Sequence, residues 1–167
     1  MGEVSFLAAQ PFTPEAWGPF GWVPVPDTDR HDGVHGLEFE WGDPHLNFIA
    51  HAPDEVERTA DGLAVDRLYR HDTHTQALML VNCDAVMAVA PAATAFSDRA
   101  DLEALRAFVL QPLDVLVLHR GTWHWGPFPL GDEPLRMLNV QGRRYLEDNT
   151  GVDLEEKLGV RVVVRTP

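Results

Sequence analysis

Short apolar runs recur along the chain, each fenced by Pro, Gly, Asn or Asp, and this pattern leaves little room for a helical core. Leu37-Glu38-Phe39-Glu40-Trp41 alternates strictly, and Leu46-Asn47-Phe48-Ile49 follows a Gly42-Asp43-Pro44 turn. Ala77–Val81 and Val86–Ala90 flank Asn82-Cys83-Asp84, which reads as a hairpin. Val115–His119 and Leu135–Val140 are two further strands, separated by an unusual turn over Arg120–Pro127, and Val160–Val164 makes a closing strand. Helix signals are few. Thr13 caps a short turn beginning at Pro14, Ser97 or Asp98 caps a helix predicted to Phe108 on the spacing of Leu102, Leu105 and Phe108, and Asp153–Leu158 ends at Gly159. The prediction is an all-β chain with one or two short helices, folded as a β-sandwich or closed barrel.

At 167 residues the chain fits a single domain over 1–167. Residues 22–36, rich in Pro, Asp and Gly, read as a loop or lid, and residues 145–167 as a C-terminal extension packing on the barrel. Thirteen Lys and Arg stand against 26 Asp and Glu, a net charge of −13 that disfavours nucleic acid and anionic membranes as partners. One cysteine, Cys83, permits neither an internal disulfide nor a multi-thiolate zinc site. The beginning carries Glu3 and only a brief apolar run, unlike a secretory leader, so the expected location is cytoplasmic.

Two constellations carry the chemistry. Arg70-His71-Asp72-Thr73-His74-Thr75-Gln76 leads into Ala77–Val81, and His119-Arg120-Gly121-Thr122-Trp123-His124 follows Val115–Leu118. A histidine and an amide at one strand start, with a second histidine after a later glycine turn, is the layout of a cupin barrel, where both motifs face one mouth. Trp123 and Trp125 flank His124 and share a strand face, so they are candidate pocket walls, although large aromatics there also serve a core.

The chain resembles the ureidoglycolate lyase family of the cupin superfamily. The likeness rests on Thr13–Gly21, Arg70-His71 with Gln76-Ala77, Asp101–Phe108, and His119–His124. It implies a double-stranded β-helix, commonly a homodimer, that cleaves ureidoglycolate to glyoxylate and urea. The chain departs from the family in carrying Trp125 where a second histidine is usual, and Val140-Gln141-Gly142 where an Asp-Arg pair ends the strand.

That reaction needs a base for a hydroxyl proton, an acid for the departing nitrogen and a cation for a carboxylate. His71 and His124 suit the proton transfers, Gln76 the ureido group and Arg70 the carboxylate, with Trp123, Trp125 and His119 as further substrate contacts. His71, His74, Gln76 and His124 could instead hold a divalent metal, with nickel, zinc, manganese and iron all compatible. Two alternatives stay open beside a lyase for a small carboxylate substrate. One is a metal-dependent cupin isomerase, decarboxylase or dioxygenase, which the departures favour. The other is a barrel that binds a small molecule without chemistry.

Overall fold

The computed structural model describes residues 3–166. In chain order the elements are β1 (Glu3–Pro11), α1 (Pro14–Trp17), β2 (Gly21–Trp22), β3 (Pro44–His51), β4 (Arg58–Thr59), β5 (Gly62–Val65), β6 (Arg67–Arg70) and β7 (Gln76–Leu80). They continue with β8 (Ala85–Ala90), β9 (Arg106–Leu110), β10 (Val115–Leu118), β11 (Trp123–Pro129), β12 (Leu135–Gly142), β13 (Thr150–Asp153), α2 (Leu154–Leu158) and β14 (Val160–Arg165). A nine-stranded sheet runs β13-β6-β11-β8-β9-β1-β14-β5-β4, and a five-stranded sheet runs β2-β10-β7-β12-β3. Within them, β6-β11-β8-β9 faces β10-β7-β12-β3. The chain crosses between these two halves at nearly every connection, the double Greek key of a jelly-roll barrel.

The barrel interior is apolar at one end. Leu78, Leu80, Met87, Val89, Leu116, Leu118, Leu135 and Met137 meet there, closed by Trp17, Phe20 and Phe108. The other face of the larger sheet is buried too. Val86, Ala88, Ala90, Trp123 and Trp125 pack under Leu63, Val65, Val162, Val164 and the helix residues Leu154 and Leu158. All six residues of β8 are buried, which is why this strand reads as an unbroken apolar run rather than an alternating one.

Two short helices form as the caps predict. Thr13 Oγ1 accepts from the Ala16 N–H at 3.2 Å ahead of Pro14. Asp153 accepts from the Glu156 N–H at 2.9 Å, and Gly159 ends α2 in the left-handed region at φ 68°. Four expectations are corrected. The predicted helix over Ser97–Phe108 is a 3₁₀ turn over Arg99–Ala104 followed by β9. Asp98 does cap it, but the spacing of three suits a 3₁₀ turn, and Phe108 is claimed by β9 between β8 and β1. The predicted hairpin is a crossover: β7 pairs with β10 and β12, whereas β8 pairs with β9 and β11. Leu37–Trp41 is not a strand, because only Phe39 finds a partner, bridging to His74. The predicted turn over Arg120–Pro127 yields to β11 from Trp123 onward.

Residues 23–38 contain no helix or strand and lie outside the barrel. The C-terminal residues continue the larger sheet, β13 along β6 and β14 along β1. None of the described helices is long and apolar enough to cross a membrane.

Candidate active site

The open end of the barrel holds a cavity of about 560 Å³, lined by His71, Gln76, His124 and Gln141 together with Asn47, Arg67, Tyr69 and Trp125. Antiparallel pairing puts His124 of β11 opposite Val89 of β8 and Tyr69 of β6, on the inward face of the sheet. His71 follows β6 directly, and Gln76 opens β7, so the two motifs converge from opposite sheets.

The two histidine rings lie 5.4 Å apart, centroid to centroid. His71 Nδ1 donates to the carbonyl of Asp148 at 2.8 Å, and His124 Nδ1 donates to that of Thr122 at 3.1 Å. A carbonyl cannot donate, so each bond fixes the proton on Nδ1 and leaves Nε2 as a bare acceptor. Burial holds His71 below the ordinary histidine range, against the raising effect of Asp148. Burial, reinforced by the neighbouring His71, pushes His124 down to about 4. Both rings are therefore neutral bases at neutral pH.

Behind His71 stand groups that do not line the cavity. His74 stacks on His71 at 4.8 Å and under Phe39 at 6.3 Å, and burial, then the adjacent His71, lowers it to about 4. A Cβ at Gly142 would come within 2.8 Å of His74 Nδ1, so the glycine that ends β12 makes room for this buried ring. The Asp148 carboxylate accepts from the Asp72 and Thr73 N–H groups at 3.0 and 2.7 Å and from Thr73 Oγ1 at 2.5 Å. Burial alone would raise Asp148, but these hydrogen bonds outweigh it and hold its carboxyl below the usual carboxylate range.

Across the cavity runs a row of amides. Gln76 Nε2 donates to Asn139 Oδ1 at 2.8 Å and to Gln141 Oε1 at 3.3 Å, and Asn139 Nδ2 donates to Asn47 Oδ1 at 2.7 Å. Gln76 Oε1 is buried without a hydrogen-bond partner. Sequence reading missed Asn47, Asn139, Asp148 and Arg67. A readable signal existed for Asn139, a lone amide inside the apolar run Met137-Leu138-Asn139-Val140.

Other expected contacts lie elsewhere. Arg70 projects from the opposite face of β6, over the Trp123 ring at 4.7 Å and beside Asp72 at 3.4 Å. Trp123 belongs to the outer core, its indole N–H on the Thr94 carbonyl at 2.8 Å. His119 lines a separate hollow of about 570 Å³ with Trp22, His31 and His35. Trp125 does reach the cavity, anchored by its N–H to Asp66 at 3.0 Å. Arg67 is the one Arg or Lys among the lining residues.

As a metal site the set falls short. His71 and His124 offer two imidazoles and Gln76 a neutral amide, with no anionic donor, and His74 is stacked behind rather than presented. Among the described residues no group of three or more His, Cys, Asp or Glu is placed to hold an ion.

A jelly-roll barrel of this strand order, with its polar residues gathered at one mouth, is a cupin. The chain belongs to the ureidoglycolate lyase family, whose model matches residues 4–161. No curated protein matches it. Among solved structures it is similar to the oxalate decarboxylase of Lactobacillus farciminis in a formate complex, at 19% identity over 68% of this chain and 27% of that one, TM-score 0.44. It is similar also to the Bacillus subtilis oxalate decarboxylase, a protein with Mn(II) centres, at 19% identity over 68% and 24%, TM-score 0.44. The chain thus spans about a quarter of the length of those decarboxylases.

Proposed function

We propose that this protein is a carbon–nitrogen lyase that cleaves ureidoglycolate, or a close ureido acid, to glyoxylate and urea. The observation that carries the reading is the pair of neutral imidazoles, each with Nε2 free, opposite a row of amides in one cavity. Neither ring is charged at the start, so no standing acid waits for the leaving nitrogen. One imidazole takes the hydroxyl proton as the O–H electrons form the new C=O bond. The C–N bond breaks with its pair on nitrogen, and the imidazolium just formed, directly or through its neighbour, returns the proton there. The reaction is proton-neutral, which suits two bases and no acid. Arg67 takes the carboxylate role that sequence reading gave to Arg70.

The test is stoichiometric release of urea and glyoxylate from ureidoglycolate by metal-stripped protein, repeated with added nickel, zinc, manganese or iron. Release without metal supports the reading. Release only with metal would make His71, Gln76 and His124 ligands, and saturable binding without release under any condition would leave a non-catalytic barrel.

A homodimer belongs to the same proposal. Edge strand β3 carries no Asp, Glu, Lys or Arg, and Leu46 and Phe48 stand 63% and 72% exposed on its outer face beside Val140 and Leu138. An edge without charges is unprotected, and an antiparallel copy of itself is its self-complementary cover.

A further inference from the structure

The cavity extends beyond the groups that the proposed chemistry uses. Past His71, His124 and the amides its lining continues along edge strand β3, where the alternate residues Asn47, Ile49 and His51 all border it. Asn47 lies opposite Asn139 and His51 opposite Leu135, so this row runs about 13 Å along the strand. Phe128 of β11 lines the same stretch from the other sheet. The buried Trp125 backs Phe128 at 4.8 Å between ring centroids, and His51 meets it edge-on at 4.9 Å. His51 Nδ1 in turn donates to the Glu55 carboxylate at 2.9 Å. Ile49, His51 and Phe128 are each only half-buried, so all three leave surface open to an occupant.

The side chains of Ile49, Phe128, Pro127 and Met137 form no hydrogen bonds, so this part of the lining offers a ligand apolar contact alone. Ureidoglycolate has no apolar group to place there. Its terminal ureido nitrogen is the end that a substituent can prolong without crowding the reacting carbon. Aromatic rings gain from edge-to-face and offset packing beyond the area they bury, which suits a wall built on Phe128. The cavity's volume of about 560 Å³ lies inside the roughly 300–1,000 Å³ of sites that enclose drug-sized ligands. Resting on the lyase reading for the acid end, we infer that Ile49, Phe128 and His51 form a subsite for an aryl substituent, and that the favoured substrate is a ureido acid carrying that group on its terminal nitrogen. Cleavage runs as before, with an arylurea leaving in place of urea.

The probe pair is N-(phenylcarbamoyl)glycine and N-carbamoylglycine. They share a carboxylate, a methylene and a ureido group and differ in the terminal phenyl, and neither has the hydroxyl needed for cleavage. Calorimetry on the wild-type protein should give the phenyl compound at least about tenfold tighter binding, as expected for a ring taken out of water. Ile49→Trp, which fills the stretch from β3, should bring the ratio to about one while N-carbamoylglycine binds within about threefold of wild type. Phe128→Leu, the milder change, should lower the ratio about threefold whether or not Ile49→Trp folds. A phenyl group resting on any other apolar surface would keep its advantage in both variants. A wild-type ratio near one, absence of binding by the phenyl compound, or a ratio unchanged in either folded variant would overturn the inference. Urea release from ureidoglycolate with a ratio near one would keep the lyase reading and remove the subsite. A tenfold ratio abolished by Ile49→Trp, with neither ureidoglycolate nor its N-phenyl derivative cleaved, would keep the subsite and remove the lyase.

Discussion

Asp148 holds His71 directly and through its loop: the Asp148 carbonyl accepts from His71 Nδ1 at 2.8 Å, and its carboxylate accepts from the N–H groups of Asp72 and Thr73, the two residues after His71. One residue from the segment after β12 thereby sets both the tautomer of the ring and the path of the loop that carries it. Asp148→Ala keeps the carbonyl but removes three hydrogen bonds to the carboxylate. It should lower stability by about 3 kcal/mol, and reduce kcat more than tenfold as the loop shifts. Asp148→Asn should recover part of both. Thermal unfolding and steady-state kinetics on the two variants check this, and an unchanged kcat in Asp148→Ala would sever the loop from the chemistry.

Each histidine that presents a free Nε2 should be indispensable. His71→Ala and His124→Ala should each cut kcat by roughly 100-fold or more, read as urea and glyoxylate release. Because the same proton serves both steps, the double variant should be little worse than the poorer single one. Full additivity would indicate separate tasks for the two rings.

The depressed histidines set the response to acid. An ordinary histidine base is half lost near pH 6.5, whereas His124, pushed down to about 4, stays neutral well below that. The acid limb of the kcat/KM profile should therefore lie below pH 6.5, on the side to which burial moves both His71 and His124. Stability follows the opposite course. His74 and His124 bind a proton in the unfolded chain near pH 6.5 but in the fold only near 4, so the unfolded state gains protons first as pH falls. Their contribution is complete above the unfolded value and lost between about 6.5 and 4, which should lower Tm by roughly 5 to 15 °C between pH 7 and pH 5. Paired kinetics and calorimetry would show activity outlasting stability, and a sharp loss of kcat/KM at pH 6.5 would contradict the assignment.

The two arginines of β6 should separate cleanly. Arg67 lines the cavity and Arg70 covers Trp123, so Arg67→Met should raise KM by about tenfold and Arg70→Met should leave KM alone while lowering Tm. The reverse pattern would return the carboxylate to Arg70.

Sedimentation at micromolar concentration should give twice the 18.6 kDa chain mass. Leu46→Glu, on the outer face of β3 and away from the cavity lining, should give the single mass. A wild-type monomer would remove the dimer.

The fold class was legible because the barrel's strands follow short apolar runs, and both motif histidines were legible because they stand beside turns. The crossover at Asn82–Asp84 was not, since a turn looks the same whether the strands it joins pair or part. The helix forecast for Ser97–Phe108 failed because a spacing of three suits a 3₁₀ turn, and Arg106–Leu110 gains a strand neighbour on each side that local sequence does not record. Arg70 was expected at the cavity and lies one step of parity away from it, over Trp123. Adjacent strand residues face opposite ways, and the start of β6 was not visible. Asp148 lies 76 residues from the loop it holds, beyond the reach of any motif.

Strand β8, which pairs with the strand carrying His124, is dry on both faces and has no side free to change. Trp123 and Trp125 are wedged against the outer cover, Val89 and its neighbours against the inner core. Relatives that come to use other acids would therefore vary away from β8, at lining positions such as Trp125 and Gln141, at edge strand β3 and at Tyr145 and Asn149 beyond β12. His71 and His124 would be inherited unaltered, and specificity would drift around them.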